Sequence, residues 1–165
     1  MDTATISVAH QQYAIVSDGV VSLYEGDGST MTTPSRGYLT VTPSTEYGQV
    51  EVSIDVVMRE LDDYVPQGWT LEGHGSFQAV AGLRVETTDG QVWKQFTSLG
   101  GIQFPSDVLY RAYRQYSSDG SIERHRLELT PRFIVPTHEV DEGDLADEIG
   151  DDGPSVLGLH VFTED

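Results

Sequence analysis

Apolar and polar residues alternate with a period of two along most of this chain. The clearest example is residues 50–56, VEVSIDV, in which four β-branched residues alternate with three polar ones. Because successive side chains of a β-strand point to opposite faces, this pattern predicts a strand with one face in the core and one in water. Residues 38–42, YLTVT, are expected to form a strand that pairs with it.

Asp-Gly dipeptides divide the alternating pattern into short segments. The dipeptide occurs five times, and it supplies the positive-φ residues that tight hairpin turns need. Two of the five lie between convincing strands. The sequence therefore predicts β-hairpins over residues 83–97 and 108–130, with turns at Asp89-Gly90 and Asp119-Gly120.

Short strands separated by Gly and Pro predict a mainly β protein. Further strands are expected at residues 6–9, 13–16 and 20–24, and short helices only at 57–64, ahead of Pro66, and at 144–149. We expect one domain over residues 1–165, an antiparallel β-sandwich with a β-barrel as the alternative. An acidic loop at about 137–154, with eight acidic residues between 139 and 152, is expected to lead to a final strand at about 155–163.

The charge composition restricts the class of partner. The chain has 27 Asp and Glu residues against nine Lys and Arg residues, a formal net charge of −18. Such a surface repels nucleic acid and anionic lipid and attracts basic proteins, so we expect a basic protein partner, no nucleic acid and no membrane. Solubility, a GC-rich genome or a salt-adapted source would explain the same acidity without any role in function.

No motif predicts catalysis, a cofactor or a metal site. Cysteine is absent, which excludes disulfides and thiol chemistry, and G-x-S-x-G and zinc-ligand His spacings are absent as well. Gly73-His74-Gly75-Ser76 is interpreted as a loop or strand bend, since no helix is expected after it to supply anion-binding amides. Because no catalytic motif is present, we expect a non-enzymatic protein. Because no signal-peptide pattern or long apolar run is present, we expect it to be cytoplasmic. A homo-oligomer is left open.

The hairpin at 108–130 predicts an arginine-rich surface. With a two-residue turn, Gln115 lies opposite Arg124, Tyr113 opposite Arg126 and Arg111 opposite Glu128, and these six side chains share one face. The other face carries the apolar side chains of Tyr110, Ala112, Leu127 and Leu129, which suits a core. The arginines are expected either to grip an anionic group of a partner by bidentate hydrogen bonds or to pair with this protein's own carboxylates.

Trp93 and an acidic segment complete the predicted contact residues. A two-residue turn in the first hairpin places Trp93 opposite Glu86 on a polar face, where an exposed tryptophan favours a contact site. A bulge that shifts the register would instead bury it. The predicted partner-binding residues are Trp93, Arg111, Tyr113, Arg124 and Arg126, together with Glu139, Asp141, Glu142 and Asp144 of the acidic loop.

Three segments resemble a known family. Residues 6–15 (ISVAHQQYAI) resemble the opening strand of the competence protein J (nuclease inhibitor) family and related small bacterial immunity-type domains. Residues 103–111 (QFPSDVLYR) are similar to a later strand of those domains, and residues 126–131 (RLELTP) to the strand that closes their sheet. Ser106-Asp107 replaces the usual turn glycine, and the chain continues past the expected end from Phe133. The resemblance implies a β-sandwich that inhibits a nuclease and brings no catalytic residues.

These observations favour a non-enzymatic acidic binding protein, an immunity or inhibitor module for a basic partner such as a nuclease. Electrostatic steering by the acidic surface is the expected mechanism. Two alternatives stay open: a sandwich that binds a small sugar-like ligand with Trp69 and Trp93, and a structural or phage assembly component that uses exposed strand edges.

Overall fold

The structure is a computed structural model that describes residues 1–26, 28–59 and 63–133. The chain divides into two units, Met1–Ile134 and Val135–Asp165. All described residues belong to the first unit, so the predicted acidic loop, the helical turn at 144–149 and the final strand lie outside them.

The described residues form ten strands and one short 3-10 helix at Thr97–Gly101. The strands are β1 (Asp2–Val8), β2 (Tyr13–Ser17), β3 (Thr32–Ser35), β4 (Tyr38–Val41), β5 (Gly48–Val56), β6 (Thr70–Ala79), β7 (Leu83–Thr87), β8 (Val92–Trp93), β9 (Ser106–Tyr116) and β10 (Glu123–Phe133). None of the helices in this part of the chain has the length and apolarity needed to cross a membrane.

The strands form two five-stranded sheets. Sheet I has the order β1-β5-β10-β9-β6, and sheet II has the order β3-β4-β2-β7-β8. All neighbours are antiparallel except β5 and β10, which run parallel. The predicted mainly β sandwich is confirmed, and the described residues form no closed barrel.

The core lies between the two sheets, where the alternation of the strands places their apolar side chains. Val50, Val52 and Ile54 of β5 are fully buried, as the alternating pattern predicts. Facing them from sheet II are buried residues such as Ile15 and Leu39, which belong to the same apolar cluster. The sequence pattern therefore determines correctly which face of each of these strands is inside.

Three expectations about local structure are wrong. Residues 20–24, expected to form a strand, form none. Residues 38–42 do not pair with residues 50–56, because β4 belongs to sheet II and pairs with β2 and β3, whereas β5 pairs with β1 and β10 in sheet I. The connection between β4 and β5 thus passes from one sheet to the other. Residues 57–59 and 63–64, part of the predicted first helix, are not helical.

Connecting segments cross the outer faces of both sheets. Val20 and Tyr24, in the segment after β2, pack on the outer face of sheet II. The connection from β5 to β6 crosses β10 and β9 of sheet I. Thr130 Oγ1 donates to the Arg59 carbonyl at 3.1 Å, and Gln115 Nε2 donates to the Gly68 carbonyl at 3.0 Å. The outer face of sheet I is therefore partly covered at its centre.

Candidate functional site

The register of the β9–β10 hairpin is the one that the sequence predicts. Arg124 pairs with Gln115, Arg126 with Tyr113 and Glu128 with Arg111. We call six outer-face residues of these two strands the arginine face: Arg111, Tyr113, Gln115, Arg124, Arg126 and Glu128. The opposite side chains, Tyr110, Ala112, Leu127 and Leu129, are buried in the core.

Two arginines of the arginine face form ion pairs with carboxylates of this chain. Arg126 Nη2 lies 2.7 Å from Glu128 Oε1, and Arg124 Nε lies 3.3 Å from Glu51 Oε1. Glu128 is two residues from Arg126 on one strand, so the two side chains point to the same side. Pairing with the protein's own carboxylates, one of the two alternatives, is thus what the described residues show for Arg124 and Arg126.

Tyr113 lies beneath these charged groups and is fully buried. Its hydroxyl donates to Glu128 Oε2 at 3.0 Å, and the Arg111 guanidinium carbon lies 5.5 Å from its ring centroid. Burial and then the Glu128 carboxylate raise the pKa of Tyr113, while the Arg111 guanidinium opposes this. Tyr113 presents no ring face to solvent, so it cannot stack with a partner, and its hydroxyl instead holds the Glu128 carboxylate.

Trp93 lies on the core side of sheet II. It pairs with Val85 and not with Glu86, so the register is shifted by one residue from the two-residue turn. Thr87 N donates to the Gln91 carbonyl at 3.1 Å, which leaves three residues in the loop. Trp93 packs against the apolar cluster. The register-shift alternative is therefore the one observed, and the shift leaves Trp93 half-buried.

Arg111 differs from its neighbours on the arginine face. Its exposed fraction is 8%, and among residues 1–26, 28–59 and 63–133 it forms no ion pair with Asp or Glu. It lies at the floor of a groove of ≈ 600 Å³ on the outer side of sheet I. The groove is lined by Asp63, Leu71, His74, Gly75, Ser76, Leu109, Tyr110 and Arg111.

The strands β6 and β9 bring the groove residues together. His74 pairs with Arg111, Ser76 with Leu109 and Leu71 with Tyr113, and a bulge between Leu71 and Gly73 keeps all three β6 side chains on the outer face. Within the described residues, no hydrogen bond joins His74, Ser76 and Asp63. The groove therefore holds a cation and polar side chains without a bonded nucleophile–base pair.

A buried polar chain lies on the inner side of the same hairpin. Tyr13 Oη and His125 Nδ1 are 2.9 Å apart, His125 Nε2 and Glu123 Oε1 are 2.8 Å apart, and Arg114 Nε lies 2.9 Å from Glu123 Oε1. We call Tyr13, His125, Glu123 and Arg114 the inner chain. Because a carboxylate can only accept, His125 Nε2 carries a proton, and its Nδ1 accepts from Tyr13 in the neutral ring.

Glu123 is the centre of the inner chain. Its carboxylate also accepts from the backbone N–H groups of Ser44 and Thr45 at 3.0 Å and 3.1 Å. Burial alone would raise the pKa of Glu123, but the hydrogen bonds from His125 and Ser44, with the charge of Arg114, lower it to about 2. Burial lowers the pKa of His125. The inner chain thus joins a strand of sheet II to two strands of sheet I through two side-chain hydrogen bonds and one ion pair.

Sequence reasoning missed the inner chain, although the signal was present. The register that aligns the arginine face also places His125 opposite Arg114 on the core side. Two basic side chains side by side on a core face require a buried acid, because unpaired buried charges are costly. Glu123, two residues before His125 on the same face, is that acid.

The described residues include no group of three or more His, Asp and Glu side chains placed to hold a metal ion. The predicted contact residues Glu139, Asp141, Glu142 and Asp144 lie outside the described residues. Comparison of the chain with family models, with curated proteins and with solved structures found no match. The resemblance to the competence protein J family therefore stays a prediction.

Proposed function

We propose that this protein is a non-enzymatic binding protein, an immunity or inhibitor module, whose partner is a basic protein such as a nuclease. The observation that carries the proposal is the separation of charge along the chain. Residues 134–165 contain ten of the 27 acidic residues, and all nine Lys and Arg residues lie in residues 1–133.

Internal ion pairs occupy much of the positive charge. Four arginines pair with carboxylates: Arg84 with Asp18 and Glu86, Arg114 with Glu72 and Glu123, Arg124 with Glu51, and Arg126 with Glu128. The acidic residues after position 133 have no lysine or arginine near them in sequence. A field of one sign raises the association rate with an oppositely charged partner and weakens as salt rises.

The polar groups of the described residues support a binding role over catalysis. His125 is fully buried between Tyr13 and Glu123 and cannot reach a substrate. The exposed His74 and Ser76 are not hydrogen-bonded to each other. Catalysis by a serine requires a base within hydrogen-bond reach of its hydroxyl.

A pull-down from lysate of the source organism at about 0.05 M and about 0.5 M salt tests the proposal. We expect a basic protein to be captured at low salt and released at high salt, and its nuclease activity to fall when this protein is added. Absence of a partner at both salt concentrations would contradict the proposal.

Matched variants test whether partner capture depends on the acidic segment or on net charge alone. The test variant converts four acids of the segment to amides: Glu139→Gln, Asp141→Asn, Glu142→Gln and Asp144→Asn. The control makes the same charge change in the body of the sandwich: Asp18→Asn, Glu25→Gln, Glu46→Gln and Glu51→Gln. We expect capture to be lost in the test variant and retained in the control.

A further inference from the structure

Arg111 is a buried arginine whose charge the described residues leave without a carboxylate. Arg114, Arg124 and Arg126 of the same hairpin each pair with Glu. Arg111 is 8% exposed, and its guanidinium carbon lies over the Tyr113 ring. Glu128, its neighbour across the strands, bonds instead to Arg126 and Tyr113. A guanidinium has five N–H donors and no acceptor, so a buried one is expected to meet an anion.

The groove gives Arg111 room for such an anion. The groove has a volume of ≈ 600 Å³, within the range of small-molecule sites. Leu71 and Leu109 are half-buried on its walls and offer apolar surface. His74 and Ser76, both exposed on the edge strand β6, offer further polar groups at its mouth.

We propose that this groove binds a monocarboxylate with an apolar body, whose carboxylate forms a bidentate hydrogen bond with Arg111. The planar guanidinium matches two carboxylate oxygens, while Leu71 and Leu109 contact the apolar body. Arg111 brings a single positive charge to the groove, and the Asp63 carboxylate repels a dianion such as phosphate more strongly than a monoanion. The inference uses no residue of the acidic segment after residue 133 and goes beyond the proposed function.

The carboxylate has two possible sources, a free aliphatic acid or the C-terminus of a polypeptide. Both present the same group to Arg111, so the groove chemistry does not distinguish them. A peptide that ends in leucine, compared with the same peptide carrying a C-terminal amide, identifies the source. Binding of the acid form alone assigns a polypeptide C-terminus, and binding of hexanoate without the peptide assigns a free acid.

The test is an NMR titration of the full chain with acetate, hexanoate and inorganic phosphate, followed on the Arg111 Nε–H signal. We expect hexanoate to shift this signal and to bind at least about tenfold more tightly than acetate, since each buried CH₂ contributes about fourfold. An Arg111 signal that both hexanoate and the leucine-ending peptide acid leave unchanged, or that phosphate shifts at lower concentration, would overturn the proposal.

Two variants and a matched control show whether Arg111 holds the ligand. Arg111→Gln should abolish hexanoate binding, and Arg111→Lys, which keeps the charge but loses the planar fork, should weaken it about tenfold or more. The control is Arg124→Gln, which removes a positive charge from the same face at an ion-paired position and should bind as the unaltered protein does. Equal weakening by R124Q and R111Q would show a nonspecific charge effect and reject the site.

If Arg111→Gln does not fold, the Arg111→Lys variant and the titration of the unaltered chain still decide the question. The titration of the unaltered chain uses hexanoate and no basic partner, whereas the pull-down uses no carboxylate ligand. Failure of the groove and failure of the proposed function are therefore separate results.

Discussion

The two faces of the β9–β10 hairpin use the same kinds of residue in different ways. On the outer face, the side chains of the Arg124–Glu51 pair are 38% and 37% exposed. On the inner face, Glu123 is 1% exposed and is bonded to Arg114, His125 and two backbone N–H groups. An exposed ion pair contributes little because water competes with it, whereas a buried carboxylate that loses its partners leaves uncompensated charges.

This comparison predicts where the hairpin is sensitive to substitution. Positions one residue apart in sequence, such as Arg124 and His125, point to opposite faces and meet different environments. The inner chain is expected to determine stability. Substitutions in the outer ion pairs are expected to change the surface charge and to leave the free energy of unfolding nearly unchanged.

The largest effect is expected for Glu123→Gln. The amide cannot accept from His125, Arg114, Ser44 and Thr45 together, and it removes the negative charge between two basic side chains. We expect the free energy of unfolding to fall by about 3–5 kcal/mol, measured by urea denaturation. Glu51→Gln is the matched control and should change it by less than about 1 kcal/mol. Equal losses in the two variants would contradict the contrast between the faces.

Acidification should weaken the inner chain in a defined range. The folded pKa of Glu123, about 2, lies below its ordinary 4.5, so its contribution is complete above pH 4.5 and is lost as the pH falls toward 2. The loss should be about 3 kcal/mol. The lowered pKa of His125 acts in the same direction below its ordinary 6.5. Urea denaturation at several pH values should show a smaller acid loss in Glu123→Gln than in the unaltered protein.

Removal of the Tyr13 hydroxyl tests the link between the two sheets. In Tyr13→Phe the ring still fills the core, but His125 Nδ1 loses its donor at 2.9 Å. An unsatisfied buried acceptor costs about 1–3 kcal/mol, and urea denaturation should show a loss of that size. Tyr110→Phe is the control, since the Tyr110 hydroxyl contacts Thr32 at 3.3 Å outside the inner chain. A loss no larger than that of the control would show that the link is weak.

The smallest effect is expected for Arg124→Gln. The Arg124–Glu51 pair is partly exposed at both ends, and such pairs contribute about 0–1 kcal/mol. The melting temperatures of Arg124→Gln and of the unaltered protein should differ slightly at low salt and should agree at high salt. A loss comparable to that of Tyr13→Phe would mean that the outer face contributes to stability as much as the inner one.

The two Asp-Gly hairpins show how far the sequence predicts the register. In both, the glycine N–H donates to the residue three positions earlier, Gly90 to Thr87 and Gly120 to Ser117, each at 2.8 Å. Pairing then resumes at Gln91 in the first hairpin but only at Ile122 in the second. The dipeptide thus locates the turn, while one additional loop residue decides which face the following side chains occupy.

Local patterning predicts the inward faces of strands, but long-range pairing depends on the whole chain. Nothing near residues 50–56 shows that β5 pairs with β10, about 70 residues later in the chain. The inner chain was predictable, since the same register count exposes it. The Arg111 groove could not be predicted from local patterning. It depends on the bulge between Leu71 and Gly73 and on Asp63, which the β5–β6 connection brings to the groove.

The last described strand is also the middle strand of sheet I. β10 lies between β5 and β9, so until residues 123–133 leave the ribosome, the β1–β5 and β6–β9 pairs each have an open edge where β10 will insert. Open edges are sites of intermolecular strand pairing. A nascent chain interrupted before residue 123 therefore exposes two edges that the finished fold covers, and it is expected to aggregate more readily than the finished fold.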